Sequence, residues 1–114
     1  MIIIHATIDL KESAVAEAIP ACIEHAKAGL EEPGCTLYLF TQDLEKPNRL
    51  HVLEQFDSNE LMTAHMHTDR SEKFAKRMTG WAEGVTVNRF KIAEDQSSDF
   101  ARESEKLMGD TVKG

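Results

Sequence analysis

The sequence predicts an α+β fold in which four antiparallel strands carry two main helices, in the order strand, helix, strand, strand, helix, strand. Three observations lead to this prediction. At 114 residues the chain is long enough for one domain with its own core. Two segments, 13–30 and 57–81, repeat apolar residues at helical spacing. Four short segments are rich in β-branched, aromatic and other apolar residues, as strands are: 2–8, 36–41, 49–56 and 85–92.

The first strand and helix occupy the first thirty residues. Apolar side chains on both faces of 2–8 indicate a strand that is covered on both sides. Ser13 is placed to cap the helix that follows, and Pro20 inside that helix removes a backbone donor, which predicts a kink. Pro33 and Gly34 then end the helix, because proline cannot continue it and glycine tolerates a left-handed turn.

A hairpin and a second helical region come next. The polar stretch 42–48 contains a Lys-Pro-Asn turn signal between two strand segments, so a hairpin is the simplest interpretation. Two capping-box spacings follow the hairpin and predict that the second helical region is broken in two: Asp57 with Glu60, and Asp69 with Glu72.

The C-terminal residues 94–114 fall outside this plan. Phe100 and Leu107 stand at helical spacing, which predicts a short helix ending at Gly109, with a frayed tail as the alternative. We therefore expect one domain over 1–93 and a C-terminal extension over 94–114.

The order of elements is that of the ferredoxin-like fold, in which both helices lie on one face of the sheet. The strands here carry apolar residues on both faces, so the uncovered side would expose a large apolar patch. A homodimer that packs sheet against sheet would bury it, and a ligand cavity can lie between sheet and helices.

Composition excludes several kinds of partner. Thirteen basic and twenty acidic residues give a net charge of −7, which argues against binding to nucleic acid or anionic lipid. The longest apolar run, residues 1–4, is far shorter than the about 20 residues of a membrane span, so we expect neither a membrane partner nor a secretory signal. Cys22 and Cys35 lack the paired spacing of zinc ligands and are interpreted as structural thiols in a reducing cytoplasm, with no metal site.

Three ordered motifs resemble the antibiotic biosynthesis monooxygenase family over residues 2–93. They are Glu-Pro-Gly-Cys at 32–35, a strand ending in Glu-Gln-Phe at 54–56, and Ala-His at 64–65 followed by Phe74. The resemblance implies a dimeric ferredoxin-like α+β barrel with a pocket in each subunit. It also implies oxidation of a quinol or other polyphenolic aromatic by O₂ without metal, flavin or haem.

Such a reaction needs an apolar cavity, a base with a pKa near neutrality, and donors that hold an oxyanion. Histidine suits the base because its ordinary pKa of about 6.5 is close to neutral pH. His65 is the first candidate, since it shares a helix face with Leu61; a core histidine bonded to a backbone carbonyl is the alternative. His5, in the first strand, is the second candidate.

Other side chains are candidates for binding the substrate. Trp81, Tyr38 and Phe56 are expected to line the cavity, although the spacing of Trp81 also fits a core residue. His5 and Asn88 complete the predicted set. The remaining titratable residues have simpler interpretations. Glu54 is expected to form an ion pair with Arg49 or Arg89, and a role as a weak base is its alternative. Glu31 and Glu32 are interpreted as a solvated turn, and His25 and His67 as solvated rings.

Two further functions stay open because one scaffold supports many activities. The first is a non-catalytic dimer that binds or senses a small molecule. The second is an isomerase of a small phosphorylated metabolite, whose phosphate would need a cationic site from Arg49, Arg70 or Arg89. Haem degradation is disfavoured, because the helix position at which that branch of the family has tryptophan is His65 here, and the first strand has no asparagine.

Overall fold

The structure is a computed structural model that describes residues 1–113. Over these residues the chain forms four strands, which pair antiparallel in the order β2-β3-β1-β4, and four α-helices. The ferredoxin-like α+β prediction is confirmed. The elements are β1 (Ile2–Leu10), α1 (Val15–Leu30), β2 (Cys35–Gln42), β3 (Arg49–Phe56), α2 (Asn59–Met66), α3 (Asp69–Trp81), β4 (Ala82–Lys91) and α4 (Ser97–Met108).

The core lies between the sheet and α1 to α3. Every second residue of β1, from Ile2 to Leu10, is buried, because alternate strand residues face the helices. The pairing registers place Tyr38, Glu54, Ile4 and Arg89 in one row across this helix-covered face. The row crosses all four strands and forms the floor of the site described below.

The start of α1 differs from its prediction. Ser13 lies in a 3₁₀ turn (Glu12–Ala14), and the residue before the helix, Ala14, makes no side-chain capping bond. Ser13 therefore does not cap α1. The loop after α1 turns at Gly34, whose φ of 75° is in the left-handed region that glycine tolerates.

The caps of α2 and α3 are each one residue away from the predicted aspartates. Ser58 precedes α2 and its hydroxyl accepts a hydrogen bond from the Leu61 amide at 3.2 Å. Thr68 precedes α3 and accepts in the same way from the Ser71 amide at 3.1 Å. These hydroxyl residues have the extended backbone that a cap requires, so neither Asp57 nor Asp69 is the cap.

The C-terminal segment forms α4, which is followed by a 3₁₀ turn (Gly109–Thr111). None of the residues of α4 is buried, and Phe100 is 70% exposed. Within residues 1–113, no helix has the length and apolar character needed to cross a membrane.

Candidate functional site

A cavity of about 380 Å³ lies between the helix-covered face of the sheet and the helices α1 to α3. Its apolar wall includes Met62, Met66 and Val87. Its polar lining comes from all three helices and three of the strands: His25, Tyr38, Glu54, His65, Ser71 and Arg89. A mostly apolar hollow with a few convergent polar groups is the usual form of a small-molecule site.

The imidazole of His65 lies between two carboxylates. Its Nδ1 is 2.5 Å from Glu32 Oε2, and its Nε2 is 3.7 Å from Glu54 Oε1. The second oxygen of Glu32, Oε1, is 3.3 Å from Arg70 Nη2. His65 is only 6% exposed, and a carboxylate that accepts a hydrogen bond from one ring nitrogen fixes the orientation of the ring and leaves the other nitrogen available.

Glu54 is the unusual acid of the site. Burial raises the pKa of its carboxyl from 4.5 to about 7, and the nearby charge of Glu32 adds to this increase. Its predicted partner Arg49 instead donates two hydrogen bonds to Asp9, at 2.7 and 3.0 Å, on the opposite face of the sheet. Glu54 can therefore exchange a proton near neutral pH, as an acid–base group must.

His25, predicted to be solvated, is buried in the cavity wall. Its ring stacks on Phe74, with centroids 4.0 Å apart and planes 3° apart. Burial lowers the pKa of His25 to about 4, so its ring is neutral at pH 7. Among residues 1–113, His25 Nδ1 and Ser71 Oγ are buried atoms without a hydrogen-bond partner, so the bonding capacity of both is unused.

Tyr38 is the second predicted residue, besides His65, that the structure places in the cavity. Burial raises the pKa of its phenol, so the hydroxyl stays protonated and can donate a hydrogen bond. Its neighbours Leu37 and Leu39 point to the opposite face of the sheet.

Four other predicted residues lie elsewhere. Phe56 is fully buried and packs against the His65 ring, with centroids 5.3 Å apart, so it supports the ring from the core. Trp81 is a core residue at the end of α3, with the Arg77 guanidinium 4.8 Å from its ring centroid. His5 and Asn88 are paired across β1 and β4 on the opposite face of the sheet.

Strand alternation explains the positions of His5 and Asn88. Arg89 lines the cavity, so its neighbour Asn88 must point away from it. On that far face His5 Nε2 is 3.2 Å from His51 Nδ1. Their roles in binding a substrate stay predictions that the cavity geometry does not support.

Sequence reasoning missed Glu32 and His25. Glu32 stands in a turn and resembles any solvated acid, and its partners His65 and Arg70 lie 33 or more positions away in the chain. No local pattern marks it. His25 does carry a signal, because it continues the buried helical spacing of Ala18 and Cys22 along α1.

We expect Glu54 and His25 to give the stability opposite pH dependences. The pKa of Glu54 is higher in the folded protein, so its contribution is complete below pH 4.5 and is lost as the pH rises through about 7. The pKa of His25 is lower in the folded protein, so its contribution is complete above pH 6.5 and is lost as the pH falls through about 4.

Urea unfolding of Glu54→Gln, His25→Gln and wild type across this pH range measures both contributions. Relative to wild type, Glu54→Gln should gain on the order of 3 kcal/mol in unfolding free energy as the pH rises, and His25→Gln should gain as the pH falls. His67→Gln, on an exposed ring, is the control for loss of a histidine. If the unfolding free energies of all four proteins change with pH in the same way, the pKa shifts of Glu54 and His25 are wrong.

The fold and the cavity define a small ferredoxin-like protein with a buried acid–base cluster beside a ligand-sized hollow. A model of the family "Antibiotic biosynthesis monooxygenase" (ABM) matches residues 1–77, and the chain belongs to this family. The family includes monooxygenases and is known for binding small molecules. Among curated proteins, none matches the chain significantly.

Solved structures share the fold. A Deinococcus radiodurans protein provisionally named an antibiotic biosynthesis monooxygenase superimposes with a TM-score of 0.79 at 22% identity, covering 83% of this chain and 95% of that one. A conserved protein from Methanosarcina mazei superimposes with a TM-score of 0.75 at 23% identity, covering 79% of this chain and 90% of that one. An antibiotic biosynthesis monooxygenase superimposes with a TM-score of 0.77 at 18% identity, covering 82% of this chain and 100% of that one. At these identities the likeness concerns the fold alone.

Proposed function

We propose that this protein is a monooxygenase that oxidises a quinol or polyphenolic aromatic with O₂ and without a cofactor. The observation that carries the proposal is the buried His65 ring, placed between Glu32 and Glu54 in the wall of a cavity of about 380 Å³. An apolar hollow with an oriented imidazole suits the removal of a proton from a phenol.

The reaction begins with transfer of a phenolic proton to His65 Nε2, with Glu54 beside it as a second proton acceptor. The phenolate is a far better one-electron reductant than the phenol, so it transfers electrons to O₂ directly. One oxygen atom forms a bond to the aromatic carbon and the other leaves as water with two hydrogens of the substrate. A quinol thus becomes a hydroxyquinone, and the four electrons that O₂ requires all come from the substrate.

The remaining side chains have supporting roles in this proposal. Glu32 holds the His65 ring through Nδ1, and Arg70 holds Glu32. Tyr38 and neutral His25 are uncharged hydrogen-bonding groups that can bind the substrate oxygens without competing for the proton. Met62 and Met66 supply the apolar wall against the aromatic ring.

The proposal includes a homodimer. The cavity reaches β4, where Val87 lines it and is nevertheless 65% exposed. Leu39 and Phe90, on the opposite face of the sheet, are also exposed. A second copy of the chain would cover these apolar side chains and exclude water from the reaction, and the extension over residues 94–113 is a further surface for that contact.

The proposal is tested by following O₂ consumption with menadiol and related quinols, using heavy-isotope O₂. We expect uptake above the rate of the buffer and one labelled oxygen atom in the product. Saturable binding of quinols with uptake no faster than in buffer would overturn the oxygenase and favour a non-catalytic binding protein. The isomerase receives less support: of the three arginines proposed for its phosphate, Arg89 alone lines the cavity, while Arg49 is bonded to Asp9 and Arg70 to Glu32.

A further inference from the structure

A second concave site, the cationic groove, lies between α1 and α3 and has a volume of about 270 Å³. One stripe of α1 and one stripe of α3, each with the i, i+3, i+4 spacing of a single helix face, form its two sides. The residues that define it are Glu24, His25, Arg70, Lys73, Phe74 and Arg77.

The charges of the groove are opposite to those of the protein as a whole. Three cations, Arg70, Lys73 and Arg77, line it against the single carboxylate of Glu24, although the net charge of the chain is −7. Among residues 1–113, no carboxylate lies within 4.0 Å of the charged nitrogens of Lys73 or Arg77. Unneutralised cations in a concavity raise the local concentration of anions.

The groove also has an apolar side. The stacked rings of His25 and Phe74 line it, and both side chains are at least partly withdrawn from water. A purely inorganic ion would leave this surface unused, whereas an aromatic body could pack against it. The arginine guanidiniums present paired N–H donors that match phosphate and carboxylate oxygens.

We propose that the cationic groove is a binding site for a small organic anion in which a phosphate or carboxylate group is joined to an aromatic body. The anionic group contacts Arg70, Lys73 and Arg77, and the body packs on Phe74. The site is distinct from the acid–base cavity, with His25 in the wall between the two, and it does not depend on the oxygenase proposal.

Arg70 links the groove to the acid–base cluster. It lines the groove and its Nη2 is 3.3 Å from Glu32 Oε1, while the other Glu32 oxygen contacts His65. An anion in the groove competes with Glu32 for this guanidinium. The ion pair of Arg70 with Glu32 and the binding of an anion to Arg70 therefore weaken each other. Glu32→Gln should tighten anion binding, because it releases Arg70 and removes a nearby negative charge.

The natural reporter for this site is Trp81, the only tryptophan of the chain, because the Arg77 guanidinium lies 4.8 Å from its ring centroid. Phenyl phosphate is titrated into the full-length protein while Trp81 fluorescence is recorded, with calorimetry as a second measurement. We expect saturable binding that weakens with added NaCl, and weaker binding of inorganic phosphate and of phenol.

Substitutions of single cations test whether the anion binds in the cationic groove. Lys73→Gln and Arg77→Gln, followed by calorimetry, should each weaken binding about tenfold. Lys76→Gln removes an exposed cation of α3 that does not line the groove, and Arg89→Gln removes the cation of the acid–base cavity; each should change affinity less than about twofold.

Three results would overturn the proposal. They are the absence of saturable binding by the wild-type protein, an equal loss of affinity in Lys76→Gln, and a loss confined to Arg89→Gln. If inorganic phosphate binds as tightly as phenyl phosphate, the proposal that the ligand has an aromatic body is wrong. The lysine and arginine substitutions are at exposed side chains, and circular dichroism verifies that all the variants are folded.

Discussion

Replacing His65 by glutamine is expected to lower kcat for quinol oxidation by about 10²- to 10⁴-fold. Glutamine can still donate a hydrogen bond to Glu32, but it cannot accept and release a proton near neutral pH. The substitution therefore removes the chemistry while keeping much of the packing around a side chain that is 6% exposed. Steady-state O₂ uptake measures kcat and KM separately, and the proposal predicts that the change is mainly in kcat.

His67→Gln is the matched control, because it makes the same substitution two residues away on a side chain that is 72% exposed. Its kcat should equal that of wild type. A His65→Gln enzyme within a few-fold of wild type would contradict the proposed role of His65 and leave Glu54 as the base. The pH profile of Glu54→Gln then decides whether Glu54 is the base. The Glu54 carboxyl has a pKa of about 7, so the variant should lose any change of rate near pH 7 that this carboxyl causes.

Phe56→Ala is expected to lower the free energy of unfolding by about 3–5 kcal/mol. Phe56 is fully buried at the end of β3, where it pairs with Ile2 and Cys35 and packs against the His65 ring. Truncation leaves a cavity among side chains that cannot collapse to fill it. Urea unfolding followed by circular dichroism measures the loss.

Phe100→Ala makes the same substitution on the exposed helix α4 and should change the unfolding free energy by less than about 0.5 kcal/mol. A loss below about 1 kcal/mol for Phe56→Ala would mean that the core around His65 is loosely packed. A large loss for Phe100→Ala that depends on protein concentration would instead place α4 in a contact with a second copy of the chain.

Much of the fold could be predicted because its signals are local. Turn residues and the two apolar periods mark each strand and α-helix over residues 1–113, and the break between α2 and α3 is visible as well, whereas the two 3₁₀ turns carry no such signal. The helix caps were misplaced by one residue because an aspartate and a hydroxyl residue stand next to each other at each position. Which of them caps depends on the backbone angles, and these are set by how the helix packs.

The candidate site was only partly predictable. The inward orientation of His65 follows from its helix face, and that of Tyr38 follows from strand alternation. Arg89 lines the cavity in place of the predicted Asn88, and which of the two does so depends on the strand register, since a shift of one residue exchanges the two faces. Neither residue carries a local mark of the face on which it lies.

The sequence by itself determined the order of elements and the inward-facing side of the helix that carries His65. Only the tertiary structure decided that Glu32 and Glu54, from a turn and a central strand, meet on either side of His65. The physical reason is that a pattern of spacing records which side of an element is buried. The charge, pKa and partners of a buried group depend instead on residues that are distant along the chain and adjacent only after folding.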